Sequence, residues 1–337
     1  MKHITTFAAA VGAVTLALTG CAGGGKAAQS GETKAELPFK ACAVSDTGGW
    51  QDKSFNESAY DGLMEAKSYL GVTVDTAESD TEDDFVGNVD KLVASDCTLI
   101  IGVGFHLEPA VHQSALQHPD RNFAMIDTTF TDGTDETVLK NGRPLLFNAS
   151  EAAFLAGYTS AAMSKTGKVA TFGGAQIPAV AVFMDGFADG VKAYNEAKGT
   201  SVQVLGWDKE TQTGAFTDSF DDQSLGLQQA QQFIAQGADI IMPVAGPVGM
   251  GAAAAAKADG KTLIVGVDSD WYETNPQYSS IILTSVMKEI GAAVEQAIQD
   301  SVKGKFTSEH YIGTLANGGV SLAPFHDFET QVPKELR

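Results

Sequence analysis

Acidic residues and glycines recur at the points where the predicted strands of this chain end. The residue that follows each predicted buried strand is Asp46, Gly104, Asp127, Asn148, Gly174, Gly246 or Asp268. A carboxylate at such a position can accept hydrogen bonds from hydroxyl or amino groups, and a glycine lets a ligand approach the backbone amides. Taken singly, each of these residues is better explained as the start of a loop or a helix cap. Together they favour a binding site for a small polar ligand.

Two phenylalanines are predicted to flank that site. Phe55 and Phe183 each lie in the first turns of a predicted helix that follows a strand end, and Asn56 is the neighbour of Phe55. If both rings face the ligand, they would enclose a flat apolar ring, and each face would contribute about 1–3 kcal/mol. The alternative is core packing, because Phe55 is in register with Ala59 and Phe183 is in register with Phe187.

Lys288 is an unusual charge for its predicted position. It lies in the first turn of a helix that the sequence predicts from Ser285 to Val302. A cation at a helix N-terminus opposes the helix dipole, so a nearby acid must compensate for it. The candidates are Glu289, Asp268 and an oxygen atom of a ligand.

The chain lacks the signatures of the common enzymes and cofactor sites. The glycines at 102–104 and 246–251 do not match the dinucleotide fingerprint in its strand-to-helix context. No Gly-x-Ser-x-Gly elbow is present in the sequence. The spacing of His106, His112 and His118 scatters them around a helix, so metal ligation is not expected. We therefore expect no catalytic residue, no cofactor and no metal.

The elements that position these residues alternate between strand and helix along the whole chain. About five strand–helix units precede residue 147 and about four follow it, which predicts parallel sheets with right-handed crossovers. The expected fold is α/β, with two doubly wound parallel-sheet lobes joined by a hinge and the ligand in the crevice at the strand ends. We assign 38–147 to an N-terminal lobe, to which about 272–308 return. We assign 148–271 to a C-terminal lobe, to which about 309–330 return.

The helix that carries Phe55 is predicted to begin with a capping box. In that motif Ser54 and Glu57 would each satisfy an unpaired backbone amide of the first turn. The helix would then bury an apolar stripe from Ala59 to Leu70.

The N-terminus is predicted to be a targeting segment. Lys2 and His3 precede an apolar run from Phe7 to Leu18, which is typical of a secretory signal. The sequence Leu18-Thr-Gly-Cys21 resembles the bacterial lipoprotein box, which implies a signal peptide at 1–20 and lipidation of Cys21. The alternative is an ordinary signal peptide with an incidental cysteine. Residues 21–37 contain almost nothing to bury and are predicted to be a flexible tether.

Charge and cysteine content narrow the partners and the compartment. The formal net charge is -20, which makes nucleic acid and anionic lipid surfaces poor partners. Once Cys21 is set aside, Cys42 and Cys97 remain, each near the start of a strand, and the two strands are predicted to be neighbours. A disulfide between them is one hypothesis for an exported protein, and two buried free thiols are the other.

Ordered motifs from about Phe39 to Glu309 resemble the basic membrane protein family of lipoproteins. They are Asp52-Lys-Ser-Phe-Asn-Glu-Ser-Ala, Ile101-Gly-Val-Gly-Phe105, Met125-Ile-Asp127, Glu151-Ala-Ala-Phe-Leu-Ala-Gly157, Gly173-Gly-Ala-Gln-Ile-Pro178, Phe183-Met-Asp-Gly-Phe187, Val244-Ala-Gly246, Gly266-Val-Asp-Ser-Asp270 and Ser285-Val-Met-Lys288. The resemblance implies a substrate-binding protein of an ABC importer with the type I periplasmic-binding fold. It further implies a purine nucleoside as the ligand.

The same resemblance assigns roles to individual residues. It implies that Phe55 and Phe183 stack on the base and that Asp127 bonds to the edge of the base. It also implies that Asp268 and Lys288 hold the ribose hydroxyls. The remaining pocket residues would be Asp46, Gly246 and Asn56. Two positions, Gln51 and Pro247, depart from the family pattern in pocket loops and leave the choice of ligand open.

We therefore expect a monomeric nucleoside-binding protein, anchored by lipid on the extracytoplasmic face of the cell membrane, that delivers its ligand to an ABC permease. One alternative is a binding protein for another small polar ligand, such as a sugar or a signalling molecule. A second alternative is a nucleoside-cleaving enzyme. A surface adhesin role is also compatible with the anchor.

Overall fold

Two six-stranded sheets form the framework of the part of the chain that the structure describes. The structure is a computed structural model, and it describes residues 37–130 and 139–337. The predicted signal peptide at 1–20, the lipidated Cys21 and the tether at 21–37, apart from residue 37, lie outside the described residues.

Strands and helices alternate as the sequence predicts. The strands of the described residues are β1 (Lys40–Ser45), β2 (Thr73–Ala77), β3 (Leu99–Val103), β4 (Asn122–Ile126), β5 (Gly142–Phe147), β6 (Lys168–Gly173), β7 (Gln203–Leu205), β8 (Trp207–Asp208), β9 (Thr213–Gly214), β10 (Ile240–Val244), β11 (Leu263–Asp268), β12 (Ile282–Lys288), β13 (Tyr311–Gly313) and β14 (Val320–Leu322). The helices of the same residues are α1 (Phe55–Leu70), α2 (Asp84–Ala94), α3 (Glu108–Gln117), α4 (Ala149–Met163), α5 (Pro178–Lys198), α6 (Gln223–Ala235), α7 (Val248–Asp259), α8 (Trp271–Thr274) and α9 (Ile290–Val302). Within residues 37–130 and 139–337, every helix is too short or too polar to span a lipid bilayer.

The first sheet has the strand order β13-β5-β4-β3-β1-β2, and all of its pairs are parallel. Every residue of β3 is buried, because helices cover both faces of a doubly wound sheet. The apolar run at 99–103 is the sequence signal of that double coverage. The helices α1 and α9 pack against each other beside this sheet, and α9 also contacts β3 and β4.

The second sheet has the strand order β14-β12-β11-β10-β6-β7. Its pairs are parallel except for the edge strand β14, which runs antiparallel to β12. The helices α4 and α5 pack closely, because glycines replace side chains where the two backbones meet. A Cβ atom on Gly190 would lie 2.0 Å from the carbonyl oxygen of Phe154. We call the two sheets with their helices the first and second lobes.

The chain passes between the lobes at three places, which together form the hinge. These are the junctions of β5 with α4, of β12 with α9, and of β13 with β14. Backbone hydrogen bonds join the three crossings: Asn148 N donates to Gly313 O at 2.8 Å, and Glu289 N donates to Gly319 O at 3.0 Å.

The segment around Lys288 differs from the sequence prediction. A helix was predicted from Ser285 to Val302, but residues 282–288 form β12 and the helix begins only at Ile290. The polar residues of this strand are buried and hydrogen-bonded: Thr284 Oγ1 donates to Ala323 O at 2.7 Å, and Ser285 Oγ accepts from Trp271 N at 3.0 Å. The predicted return of 272–308 to the first lobe therefore starts too early, because β12 lies in the second sheet. The predicted return of 309–330 to the second lobe also starts too early, because β13 lies in the first sheet.

Cys42 in β1 and Cys97, just before β3, are joined by a disulfide with a Cα–Cα distance of 5.9 Å. The two strands are direct neighbours, with Cys42 paired to Ile100. The disulfide therefore links the start of β1 to the segment that leads into β3.

Candidate functional site

The carboxyl ends of the two sheets enclose a cavity between the lobes. All eight predicted ligand-binding residues line it, and they are Asp46, Phe55, Asn56, Asp127, Phe183, Gly246, Asp268 and Lys288. The residues that were selected from the sequence therefore lie around one cavity in the folded protein.

Lys288 is the buried cation of this cavity. Its Nζ atom lies 2.6 Å from Asp127 Oδ2 and 3.7 Å from Asp268 Oδ1, and its side chain is 3% exposed. Its predicted place in a helical first turn is wrong, because Lys288 is the last residue of β12. Its closest acid, Asp127, was not among the partners considered for it. We call Asp127, Asp268 and Lys288 the floor of the cavity.

Three aromatic rings surround the Lys288 ammonium group. The Nζ atom lies 4.9 Å from the ring centroid of Phe55, 5.3 Å from that of Phe147 and 5.5 Å from that of Phe183. Cations within about 6 Å of a ring face are attracted by its quadrupole. Phe55 and Phe183 come from opposite lobes, so the two predicted stacking residues converge on the same point. Phe147 was missed, because the strand-end pattern used the residue after β5 instead of the last residue of that strand.

The floor aspartates share an uncommon backbone conformation. Asp127 directly follows β4 and Asp268 is the last residue of β11, and their φ angles are 68° and 67°. Left-handed backbone is tolerated by aspartate but concentrates at functional sites. Burial raises the pKa of Asp268 to about 6; Lys288 opposes the shift, and Asp127 and Asp52 add to it.

Asp46 is a buried acceptor held in place by short hydrogen bonds. Its Oδ1 atom accepts from Asn56 Nδ2 at 2.7 Å and from Gly48 N at 3.0 Å. Burial raises the pKa of the Asp46 carboxyl, against the lowering effect of these two donors and of His106. Gly104 has to be a glycine, because its φ angle is 114° and a Cβ atom there would lie 2.4 Å from Asp46 Oδ2.

The amide oxygen of Asn56 is buried and has no hydrogen-bond partner within the described protein. Its amide nitrogen is already used by Asp46. A buried acceptor without a protein partner, on a residue that lines the cavity, fits a site where a ligand or a water molecule donates the missing hydrogen bond.

The prediction that Ser54 caps α1 is wrong, because its side chain makes no hydrogen bond to the amides of the first turn. Asp52 caps the helix: its Oδ1 accepts from Ser54 N at 2.9 Å and from Glu57 N at 3.0 Å, and its Oδ2 accepts from Asn56 N at 2.8 Å. Burial raises the pKa of Asp52 to about 6, against the effect of these amides. A carboxylate three residues before the first turn reaches all three amides, which the shorter serine cannot do.

Ser54 contacts the second lobe instead of the helix amides. Its Oγ atom lies 3.3 Å from Val267 O and 3.4 Å from Asp268 Oδ2. Nearby, Ser269 Oγ donates to Lys53 O at 3.0 Å. The loop that begins α1 is therefore hydrogen-bonded to the end of β11 across the cleft.

Two strand-end residues serve the structure instead of the cavity. Asn148 Nδ2 donates to Glu151 Oε1 at 2.8 Å, so this side chain closes the first turn of α4. Gly174 lies under a phenylalanine ring, and a Cβ atom there would come within 2.4 Å of Phe220. Phe220 itself lines the cavity, from a loop without regular periodicity that gave no signal in the sequence.

Within residues 37–130 and 139–337, no group of three or more His, Cys, Asp or Glu residues is placed to hold a metal ion. The residues that line the cavity offer aromatic faces, carboxylate acceptors and the ammonium donor of Lys288. Such a site can bind an uncharged ligand that combines a flat ring with several hydroxyl or amino groups.

A family model described as "ABC transporter substrate-binding protein PnrA-like" matches residues 39–337 of the chain. Among curated proteins, the chain is 30% identical over 335 residues to the ABC transporter nucleoside-binding protein BmpA of Lactococcus lactis, covering 93% of this chain and 90% of that protein. It is 30% identical over 290 residues to basic membrane protein A of Borreliella burgdorferi, covering 86% of this chain and 77% of that one.

Among solved structures, a solute-binding protein of an ABC transporter system from Aeropyrum pernix superposes with a TM-score of 0.75 at 28% sequence identity. The match covers 88% of this chain and 82% of that chain. The type I two-lobe fold expected from the sequence is confirmed by this likeness and by the two mainly parallel sheets.

Proposed function

Because the chain belongs to the Bmp family of PnrA-like ABC transporter substrate-binding proteins, we propose that it captures purine nucleosides between its two lobes. The observation that carries this proposal is the convergence of Phe55 and Phe183 on Lys288, with Asp127 and Asp268 beside the same ammonium. The Lactococcus lactis relative is named as a nucleoside-binding protein, which supports the same ligand class.

Each part of a nucleoside has a counterpart in the cavity. The two rings offer faces for a purine base, with about 1–3 kcal/mol per stacked face. Asp268 and Lys288 offer an acceptor and a donor for the ribose hydroxyls, and such charge-assisted bonds contribute about 1.5–3 kcal/mol each. Asp46, Asn56 and Gly246 line the remainder of the pocket.

The charge of the cavity selects against phosphate groups. Asp46, Asp52, Asp127 and Asp268 line it together with Lys288, the buried cation that already pairs with Asp127. A phosphate would meet several carboxylates in a poorly solvated site, where like charges repel strongly. Neutral nucleosides are therefore expected to bind much better than nucleotides.

Titration calorimetry with adenosine, guanosine, inosine and AMP tests this proposal. Submicromolar binding of at least one nucleoside is expected, with AMP at least about 100-fold weaker, a difference of about 3 kcal/mol. AMP binding as tight as adenosine binding would contradict the charge argument. The absence of binding by all three nucleosides would contradict the proposed ligand class.

The proposal extends to the setting in which the protein works. The lipoprotein-like sequence ending at Cys21 supports anchoring on the outer face of the cell membrane, and the family supports delivery to an ABC permease. Metabolic labelling with a fatty acid tests the anchor, and a Cys21→Ser variant should lose the label.

We propose a monomer that releases its ligand unchanged. Incubation with inosine should therefore yield no free hypoxanthine.

A further inference from the structure

His106 joins two cavities at the outer end of the ligand site. It lines the central cavity, and it also lines an adjoining outer cleft that shares Phe105, Asp127 and Ala179 with the first. It lies in the segment that follows β3, on the first lobe. A ligand that fills the central cavity therefore meets His106 at the border between the two cavities.

The ring of Phe220 meets His106 from the second lobe. The two ring centroids lie 6.4 Å apart with an interplanar angle of 79°, an edge contact between the lobes. Backbone hydrogen bonds hold the Phe220 loop against the end of β6: Thr217 N donates to Gly173 O at 3.0 Å, and Ser219 N donates to Gly174 O at 3.2 Å. The position of the ring is therefore fixed before a ligand binds.

Glu82 sets the chemistry that His106 presents. His106 Nδ1 lies 2.8 Å from Glu82 Oε1. A carboxylate only accepts hydrogen bonds, so Nδ1 carries the hydrogen, and in the neutral ring Nε2 keeps its lone pair. Within the described residues, Nε2 has no hydrogen-bond partner. We call Glu82, His106 and Phe220 the rim.

Asp46 lies beside the rim, whereas Lys288 lies with the floor aspartates. A Cβ atom on Gly104, two residues before His106, would lie 2.4 Å from Asp46 Oδ2. Lys288 Nζ lies 2.6 Å from Asp127 Oδ2 and 3.7 Å from Asp268 Oδ1. If the floor holds the ribose, the base edge reaches toward Asp46 and His106.

We propose that His106 is a specificity-determining residue, which accepts a hydrogen bond through Nε2 from an N–H group on the base edge and closes on Phe220. This rests on the proposed nucleoside function. Guanine presents adjacent N–H donors on that edge, whereas adenine presents an amino group next to an acceptor. The rim therefore favours guanosine over adenosine.

Variants at the rim separate the hydrogen bond from the ring contact. His106→Phe keeps an aromatic ring against Phe220 and removes both nitrogens, whereas His106→Ala removes both features. Glu82→Gln leaves the imidazole in place and removes the carboxylate that fixes its tautomer. The matched control is His118→Phe, at the end of α3 and outside the lining of the central cavity.

Calorimetry with guanosine and adenosine on the mature protein is the test. The wild type should bind guanosine more tightly, and His106→Phe should weaken guanosine binding about 5- to 10-fold, as for the loss of one hydrogen bond, with adenosine changed less than about twofold. His106→Ala should weaken both nucleosides, and Glu82→Gln should reduce the preference for guanosine. His118→Phe should match the wild type.

Several results would overturn the inference. Equal loss of both nucleosides in His106→Phe would show that Nε2 does not contact the base edge. Unchanged binding in both His106 variants would show that the rim does not contact the ligand, while the proposed nucleoside function would stand. A wild-type protein that binds none of the nucleosides would contradict the function and this inference together.

Discussion

Phe183 and Phe187 are two phenylalanines on the same helix with different expected roles. Both are fully buried in α5, but only Phe183 lines the cavity. Phe183→Ala should weaken nucleoside binding about tenfold or more, because one stacked face of the base is lost. Calorimetry on the folded variant measures this loss.

Phe187→Ala is the matched control for the stacking prediction. Both truncations should lower the free energy of unfolding by about 3–5 kcal/mol, since both leave a cavity in the core. Nucleoside affinity should stay within about threefold of the wild type in Phe187→Ala, because Phe187 does not line the cavity. Equal loss of affinity in both variants would mean that Phe183 acts only through the fold.

The residue types of the site were predictable from sequence, but several of their partners were not. Asp46, Asp127 and Asp268 follow directly from the rule that ligands bind at the ends of parallel strands. The Lys288–Asp127 pair joins residues from different lobes, so no local pattern contains it. His106 belongs to a 3-10 helix of only three residues and Phe220 to a loop, and neither segment is long enough or regular enough to show a period in the sequence.

At the scale of single elements, the start of α1 shows how one helix end serves two lobes. Asp52 accepts the amides of Ser54, Asn56 and Glu57, while Ser54 Oγ is directed to the second lobe. Asp52→Ala should therefore speed hydrogen exchange of the Asn56 and Glu57 amides about fivefold, as expected for loss of a cap contributing about 1 kcal/mol. Exchange followed by NMR or mass spectrometry measures this effect.

Ser54→Ala provides the comparison for that helix end. Exchange of the same two amides should remain close to that of the wild type, since the serine hydroxyl does not bond to them. Faster exchange in Ser54→Ala than in Asp52→Ala would restore the capping box that the sequence suggested and would contradict the structure.

The elements themselves were largely predictable, and the main failure has a physical cause. Fully apolar runs such as 99–103 predicted the parallel strands correctly. A strand that is buried on both faces has no position for an exposed polar side chain. β12 has the same environment but contains Thr284, Ser285 and Lys288. Their hydroxyls and charge are paired by distant residues, so the apolar pattern is broken while the strand remains.

For the whole molecule, the Lys288–Asp127 ion pair is a buried link between the lobes. Lys288→Met should leave the Asp127 charge unpaired, and such losses destabilise proteins by about 3–5 kcal/mol. The lobes of the ligand-free variant should separate so that water reaches Asp127. Small-angle X-ray scattering should record a larger radius of gyration, and urea denaturation at pH 7 should record the lower free energy of unfolding.

The double variant Lys288→Met/Asp127→Asn isolates the charge effect. It removes both partners of the pair, so the ligand-free protein should recover most of the stability and a wild-type radius of gyration, while nucleoside binding stays impaired. A double variant as expanded and as unstable as Lys288→Met alone would show that the ion pair does not hold the lobes together.

The position of the hinge gives the floor and the rim different kinetic consequences. The crossing at Glu289 directly follows Lys288, whereas His106 and Phe220 meet from opposite lobes. Rotation about the hinge therefore moves the floor little and separates the rim widely. A nucleoside can reach the floor while the lobes are open, but it meets the completed rim only after closure. Floor residues should therefore govern how fast the ligand is captured, and rim residues how long it stays bound.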